Sequence, residues 1–362
     1  MIDFVLKILG GLWKFILEKF LGQKPSINQN LNMKAGRNIA VEGDINIINL
    51  QTEGFSLLKK QVENSESKLK ETLKEFMRLR QEEKHTTRSN TVDYKLVMDL
   101  RKGGPSKENK TQLRTIFYSS NDNLARLQAV LVLANWCRLP KDSINDLIAM
   151  CDEGIKIADL ISATSEKAVL LAYKGRFISV QFSDTDMDAA FNIKLSNVTG
   201  IPLITEEKRQ QTIQKLRELD KLSQECFASA QKIAKEAKSL EALALVYSLI
   251  GSAAGHRYIH LKHFGVARAE EEKQLSKRAL LLAKDIYSAT GDEISTAYAL
   301  HNLANELRIF GEKDEAKQIT EKVKNIATKY NDQQLLKKAN VLMDRIISGK
   351  IPNYTGGEEF EL

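Results

Sequence analysis

The feature that most constrains this chain is a short stretch that recurs three times at the close of a helical pattern. Ile157-Ala-Asp-Leu-Ile-Ser-Ala-Thr-Ser165, Ala283-Lys-Asp-Ile-Tyr-Ser-Ala-Thr-Gly291 and Val323-Lys-Asn-Ile-Ala-Thr-Lys-Tyr-Asn331 are alike, and each ends one helix and opens the next. In the first two a tyrosine follows at a fixed distance: Ala158 precedes Tyr173 by fifteen residues, and Ala283 precedes Tyr298 by fifteen. Self-similarity of this kind marks an array whose units must stack, because one unit alone cannot bury its apolar face. Only 5 prolines occur in 362 residues, and proline is the residue that breaks helices. From about residue 92 the chain therefore reads as mainly α, with helices alternating with short turns.

The clearest unit spans 297–330. Leu300, Leu303, Ala304, Leu307, Gly311, Ala316 and Val323 have a spacing in which small residues let two helices approach closely, with Gly311 at the turn between them. This pattern resembles the tetratricopeptide (TPR) repeat. It departs at Thr320, usually aromatic in that family, and at Val323, usually alanine, and no proline closes the unit. Looser helix pairs fall at roughly 239–289 and 124–161, so the resemblance covers roughly 110–348. From turn Gly291 to turn Asn331 is about 40 residues against the 34 of a TPR unit, which predicts longer helices. A HEAT-like or irregular α-solenoid fits the same pairs. The expectation for 91–349 is a C-terminal TPR-like α-solenoid. The resemblance implies a groove lined by the first helix of each pair, in which a protein or peptide binds. The polar stretch 182–203, with Ser183-Asp-Thr-Asp-Met-Asp188 near its start, is expected to interrupt the array as a loop. Residues 350–362, closing on Gly-Gly-Glu-Glu-Phe-Glu-Leu362, are expected to form an unfolded tail.

The first segment, 1–24, is of another kind. On a helical wheel Asp3, Lys7, Gly10, Gly11, Lys14, Glu18 and Gly22 fall in one stripe roughly 120° wide, with Lys19 the only charge clearly outside it. Large apolar residues fill the rest, among them Phe4, Leu9, Leu12, Trp13, Phe15, Ile16 and Phe20. Residues 1–22 as a helix would be about 33 Å long, enough to cross a hydrocarbon core. Five charges make a lone span costly. Two arrangements suit the segment better. It lies in the membrane interface, apolar face down, or several copies assemble with the polar stripe of Asp3, Lys7, Lys14 and Glu18 facing a shared lumen. A signal peptide is one rival, opposed by the non-basic start and the lack of an A-x-A site before Gln23-Lys24-Pro25. A helix docked on the chain's own core is another. The apolar arc is wider than one packing partner needs, and Trp13 with the flanking lysines suits an interface.

A linker with a short β element is expected over 25–52. Ile39 and Val41 alternate, as do Ile45 and Ile47, around Glu42-Gly43-Asp44. Two strands are marginal alone, so they are expected to pair with a neighbour such as the same element in other copies. Residues 53–90 read as a coiled-coil-like helix. Phe55, Val62, Leu69 and Phe76 are spaced by sevens, and Leu58, Ser65, Thr72 and Leu79 take the second core position. An amphipathic helix packed on the array fits this pattern too. Three consecutive segments without a core of their own argue for a homo-oligomer. The string Asn38 to Ile47 resembles a segment of bacterial conflict proteins that joins a membrane or effector part to a repeat-built sensor. That resemblance implies an antiviral defence effector, cytoplasmic and associating with the inner face of the membrane it permeabilises.

Candidate chemistry is sparse. His256, His260 and His263 stand at i, i+4 and i+7 on one helix face, a spacing that can hold a divalent metal, but no carboxylate follows as in HExxH. A basic pocket for an anionic ligand, formed by Arg257, His260 and His263 with Lys262 and Arg268 nearby, is preferred over a metal. A polar, partly exposed helix face accounts for the same residues. Arg101-Lys102-Gly103-Gly104-Pro105 lacks the GxxxxGK[ST] frame, and no GxSxG occurs, so neither an enzyme nor a cofactor is expected. Trp136-Cys137 reads as core. The net charge of +7 is spread among acids, and no aromatics interleave with a basic stripe, so nucleic acid is not expected as a partner. Cys137, Cys151 and Cys226 are odd in number and far apart, which fits a reducing compartment. The expected function is an oligomeric, membrane-acting interaction protein whose partners are further copies of itself, a protein or peptide in the groove, and membrane lipid. The alternative is a soluble homo-oligomeric TPR scaffold with the first helix packed inside the assembly.

Overall fold

Helix junctions in this chain are built one way five times. Ser162, Lys238, Gly291, Gly311 and Asn331 each take a left-handed backbone, with φ of 57°, 50°, 73°, 85° and 54°. At four of them the next amide reaches back five residues: Ala163 donates to the Ala158 carbonyl at 2.8 Å, Ser239 to Ala234 at 3.1 Å, Glu312 to Leu307 at 2.9 Å and Asp332 to Ala327 at 2.9 Å. This is the Schellman closure, which satisfies carbonyls a helix end would leave bare. The next helix starts at once. Asp292 and Asp332 cap theirs by accepting the amides of Ser295 and Leu335, both at 2.9 Å.

The computed structural model describes residues 89–137, 143–199, 205–263 and 269–349. They form α1 (Val92–Gly103), α2 (Lys107–Ser119), α3 (Asn123–Asn135), α4 (Ile144–Leu160), α5 (Thr164–Thr199), α6 (Glu206–Glu236), α7 (Leu240–His263), α8 (Ala269–Thr290), α9 (Glu293–Ile309), α10 (Lys313–Lys329) and α11 (Gln333–Ser348). There is no strand among the described residues. Each helix packs on its neighbour in sequence along most of the series. Each odd helix also packs on the next odd one: α1 on α3, α3 on α5, α5 on α7, α7 on α9 and α9 on α11. The odd helices thus form a continuous row with the even ones packed along it, a helical repeat-like α fold. The core follows this row, from Val97 and Phe117 through Leu170, Phe177 and Tyr247 to Leu303, Leu307 and Leu342.

The helix pairs expected at 239–289 and 124–161 are α7–α8 and α3–α4, and the clearest unit is α9–α10. Leu300, Leu303, Ala304, Leu307, Ala316 and Val323 are all buried in it. Thr320, where the pattern departs, is buried as well. Its hydroxyl donates to the Ala316 carbonyl at 2.7 Å, so the polar atom is satisfied within its own helix. Both α9 and α10 have 17 residues, as the long period requires.

Two expectations are corrected. Residues 182–199 do not interrupt the array as a loop, and 200–203 lie outside the described residues. α5 runs on to Thr199 with 36 residues, about 54 Å, and α6 resumes at Glu206 with 31. From Arg176 to Thr199 there is neither glycine nor proline. Polar composition without a breaker does not stop a helix that has a long partner to pack on. The recurring segments are also in a different register. Aligned on the left-handed residue, Ile157 matches Ile233, Ile286 and Ile326, five positions before each turn. Tyr173 and Tyr298 are then eleven and seven residues beyond their turns and are not equivalent. The expected helix over 1–24, the β element over 25–52, the coiled-coil-like helix up to residue 88 and the tail over 350–362 lie outside the described residues. No described helix is long and apolar enough to cross a membrane.

Candidate functional site

Charged side chains are buried where α5 to α9 meet. Arg257 on α7 is 2% exposed. Its Nη1 donates to Asp220 Oδ1 of α6 at 2.8 Å, and its Nε is 3.6 Å from Glu272 Oε1 of α8. Its guanidinium also covers the Phe182 ring of α5, 4.7 Å from the centroid. One cation on α7 therefore holds groups from three other helices. A buried pair of this kind adds little net stability over apolar residues, but it is costly to break, because the partner is left charged and dry.

A buried acid lies on the other side of α7. The Glu306 carboxyl of α9 rests directly against Gly255 of α7; a β-carbon at Gly255 would be 2.0 Å from Glu306 Oε2. Glycine is what lets the carboxyl come this close. Burial pushes Glu306 up to about 8, against the pull of Arg308 and Arg176. Glu306 is thus mostly protonated at neutral pH, and its Oε2 makes no hydrogen bond. Arg176 of α5 is also buried, and burial lowers its pKa while Cys137, Tyr173 and Glu306 act to raise it. These residues sit on three successive odd helices. Nothing in this arrangement resembles a nucleophile with its base.

The accessible side of the odd row is polar. On α9, Tyr298, His301, Asn302 and Asn305 are partly exposed along one stripe, with Arg308 following and its Nη2 donating to Asn305 Oδ1 at 3.3 Å. On α11 the neighbouring stripe carries Lys338, Val341 and Arg345. Lys338 Nζ stands 5.6 Å from the centre of the Tyr298 ring. Burial first, then Lys338 and Arg345, push His301 down to about 4, so its imidazole is neutral. The Tyr298 hydroxyl donates to Asp332 Oδ2 at 3.3 Å, tying α9 to the cap of α11. The stripe is thus polar, with Lys338 and Arg345 along its α11 side.

The structure places Arg257, His260 and His263 all on α7. The guanidinium of Arg257 is directed at Asp220 and Glu272, on the side of the even helices. His256 is half-buried, and the side chains of His260 and His263 lie outside the described residues. Among the described residues no group of three or more His, Cys, Asp or Glu is placed to hold a metal. The proposed membrane residues Phe4, Leu9, Leu12, Trp13, Phe15, Ile16 and Phe20, and the polar stripe Asp3, Lys7, Lys14 and Glu18, also lie outside the described residues. Trp136 and Cys137 are core. Cys137, Cys151 and Cys226 are all free and buried; burial raises the Cys226 thiol to about 11 and the Cys151 thiol further, so both stay protonated and unreactive. Sequence reasoning missed the contact of Gly255 with Glu306. Its traces were a glycine pair, Gly251 and Gly255, inside an apolar helix, and a glutamate flanked by Leu303 and Leu307 at helical spacing. Comparison of the chain with family models and with curated proteins finds no match.

Proposed function

We propose that this chain is an oligomeric, membrane-acting interaction protein that works without catalysis or a cofactor. In this reading 91–349 is a TPR-like α-solenoid that binds a protein or peptide along its odd helices. The segments before it gather several copies, and the clustered N-terminal segments enter or permeabilise a bilayer from the cytoplasmic face. The observation that carries it is the amphipathic pattern of residues 1–22: a broad apolar arc with Asp3, Lys7, Lys14 and Glu18 in one narrow stripe. A single such helix leaves its charges in lipid, whereas several together turn them toward one another. The partner-binding half is supported by the continuous row of odd helices and the polar stripe of α9 and α11. The string Asn38 to Ile47 favours a role in bacterial antiviral defence.

Flotation with anionic lipid vesicles tests this. The full chain is expected to float, and a chain lacking residues 1–22 is expected to stay at the bottom with its helicity unchanged. If the shortened chain floats equally well, the membrane role of that segment is wrong. If the full chain stays at the bottom, the soluble scaffold takes its place.

A further inference from the structure

α11 is the last described helix, and one of its stripes is cationic. Lys338, Val341 and Arg345 stand at i, i+3 and i+7 and share a face. Lys338 and Arg345 are partly buried, and both act on His301 of α9. Val341 between them is 39% exposed, an apolar side chain flanked by two cations. The one carboxylate within α11, Asp344, is exposed and lies about 100° round the helix from Arg345.

The chain leaves α11 through Gly349, whose φ is 66° and whose amide donates to the Ile346 carbonyl at 3.3 Å. Ser162, Lys238, Gly291, Gly311 and Asn331 have the same left-handed backbone, and each is followed by a helix that packs back on the one before. Gly349 shares their left-handed φ. Beyond it come Gly356-Gly357-Glu358-Glu359-Phe360-Glu361-Leu362, acid on either side of an aromatic ring. From Gly349 to Glu358 an extended chain reaches about 30 Å, more than the roughly 24 Å length of α11. Glu358 to Glu361 spans about 10 Å when extended, and Lys338 to Arg345 spans about 10.5 Å along the helix. Sign, spacing and the central apolar residue all correspond.

We propose that the acidic stretch Glu358–Glu361 docks on the Lys338–Val341–Arg345 stripe of its own chain and competes there with any acidic partner segment. This does not depend on the membrane reading. The test measures binding of a fluorescent peptide, Gly356–Leu362, to the full chain at low salt by anisotropy. Wild type is compared with the triple variant Glu358→Gln, Glu359→Gln, Glu361→Gln. With its own acids removed, the variant is expected to bind the peptide about tenfold more tightly than wild type, because an intramolecular competitor is gone. Adding Lys338→Gln and Arg345→Gln to the triple variant is expected to abolish that gain with no change in circular dichroism. Equal affinity for wild type and triple variant overturns the proposal, as does a gain that survives Lys338→Gln and Arg345→Gln. A difference that grows with wild-type concentration places the tail on another copy and also overturns it.

Discussion

A glutamate held neutral inside a helical array ties stability to pH. Glu306 has a folded pKa of about 8 against an ordinary 4.5. The folded state therefore binds a proton that the unfolded chain releases, and stability is lost as pH rises from about 4.5 to 8. His301 acts in the opposite sense: its folded pKa of about 4 lies below the ordinary 6.5, so stability is lost as pH falls through that window. The two slopes oppose one another below about pH 6.5, and above it only the Glu306 slope remains. The melting temperature of the wild type is expected to fall by several degrees from pH 6.5 to 8.5, and that of Glu306→Gln to stay nearly level. A wild-type curve as flat as that of the variant would show that Glu306 is not buried neutral. The contact with α7 has its own test. Gly255→Ala puts a methyl group into the Glu306 carboxyl and is expected to cost about 1–3 kcal/mol by overpacking. In a Glu306→Ala background the cost should shrink, as measured by denaturant melts in a double-mutant cycle. At this scale the sequence was legible where local geometry decides, as at Gly311 in its turn. It was silent on Glu306, because a glutamate at a helical position reads as surface until the glycine it lies against is known.

Between helices, the left-handed turn is the repeated device, and it makes a signed prediction. Lys238 adopts φ 50° at a position that costs any residue with a β-carbon about 1 kcal/mol. Lys238→Gly is expected to stabilise by roughly that amount. Gly311→Ala is expected to destabilise by about 1 kcal/mol, although nothing lies within 4 Å of the added carbon. Thermal melts of the two variants should move in opposite directions; a shift of the same sign in both would mean the turn conformation is not what matters. The recurrence of these turns was readable because Ile–Ala or Ile–Tyr stands five residues before four of them, at Ile157, Ile233, Ile286 and Ile326; the Gly311 turn has Glu306-Leu307 there instead. The true register was hidden because helical residues three apart share a face, so a shift of one turn still matches apolar to apolar. The length of α5 and α6 was hidden for another reason. Ser183-Asp-Thr-Asp-Met-Asp188 reads as a turn on composition, yet what ends a helix is a glycine, a proline or the loss of its partner, and α5 keeps α6 beside it.

Across the chain, two halves of the reading stand on different ground. That 92–348 would be a series of packed helices followed from periodicity and the scarcity of proline, and the described residues are such a series. The proposal that the chain works at a membrane rests on the wheel of residues 1–22, and the proposal that it works as a cluster rests on the sevenfold spacing from Phe55 to Leu79 and the alternating residues Ile39 to Ile47. The charge distribution fits such a division: the array mixes both signs throughout, while in the first 22 residues four of the five charges, all but Lys19, share one helical-wheel stripe. The most direct measurement is the molecular mass, in mild detergent, of the full chain beside a chain that starts at residue 92. The full chain should form a particle of several subunits and the shorter one a single subunit. A full chain that runs as one subunit, or a shorter chain that assembles just as far, would contradict the account.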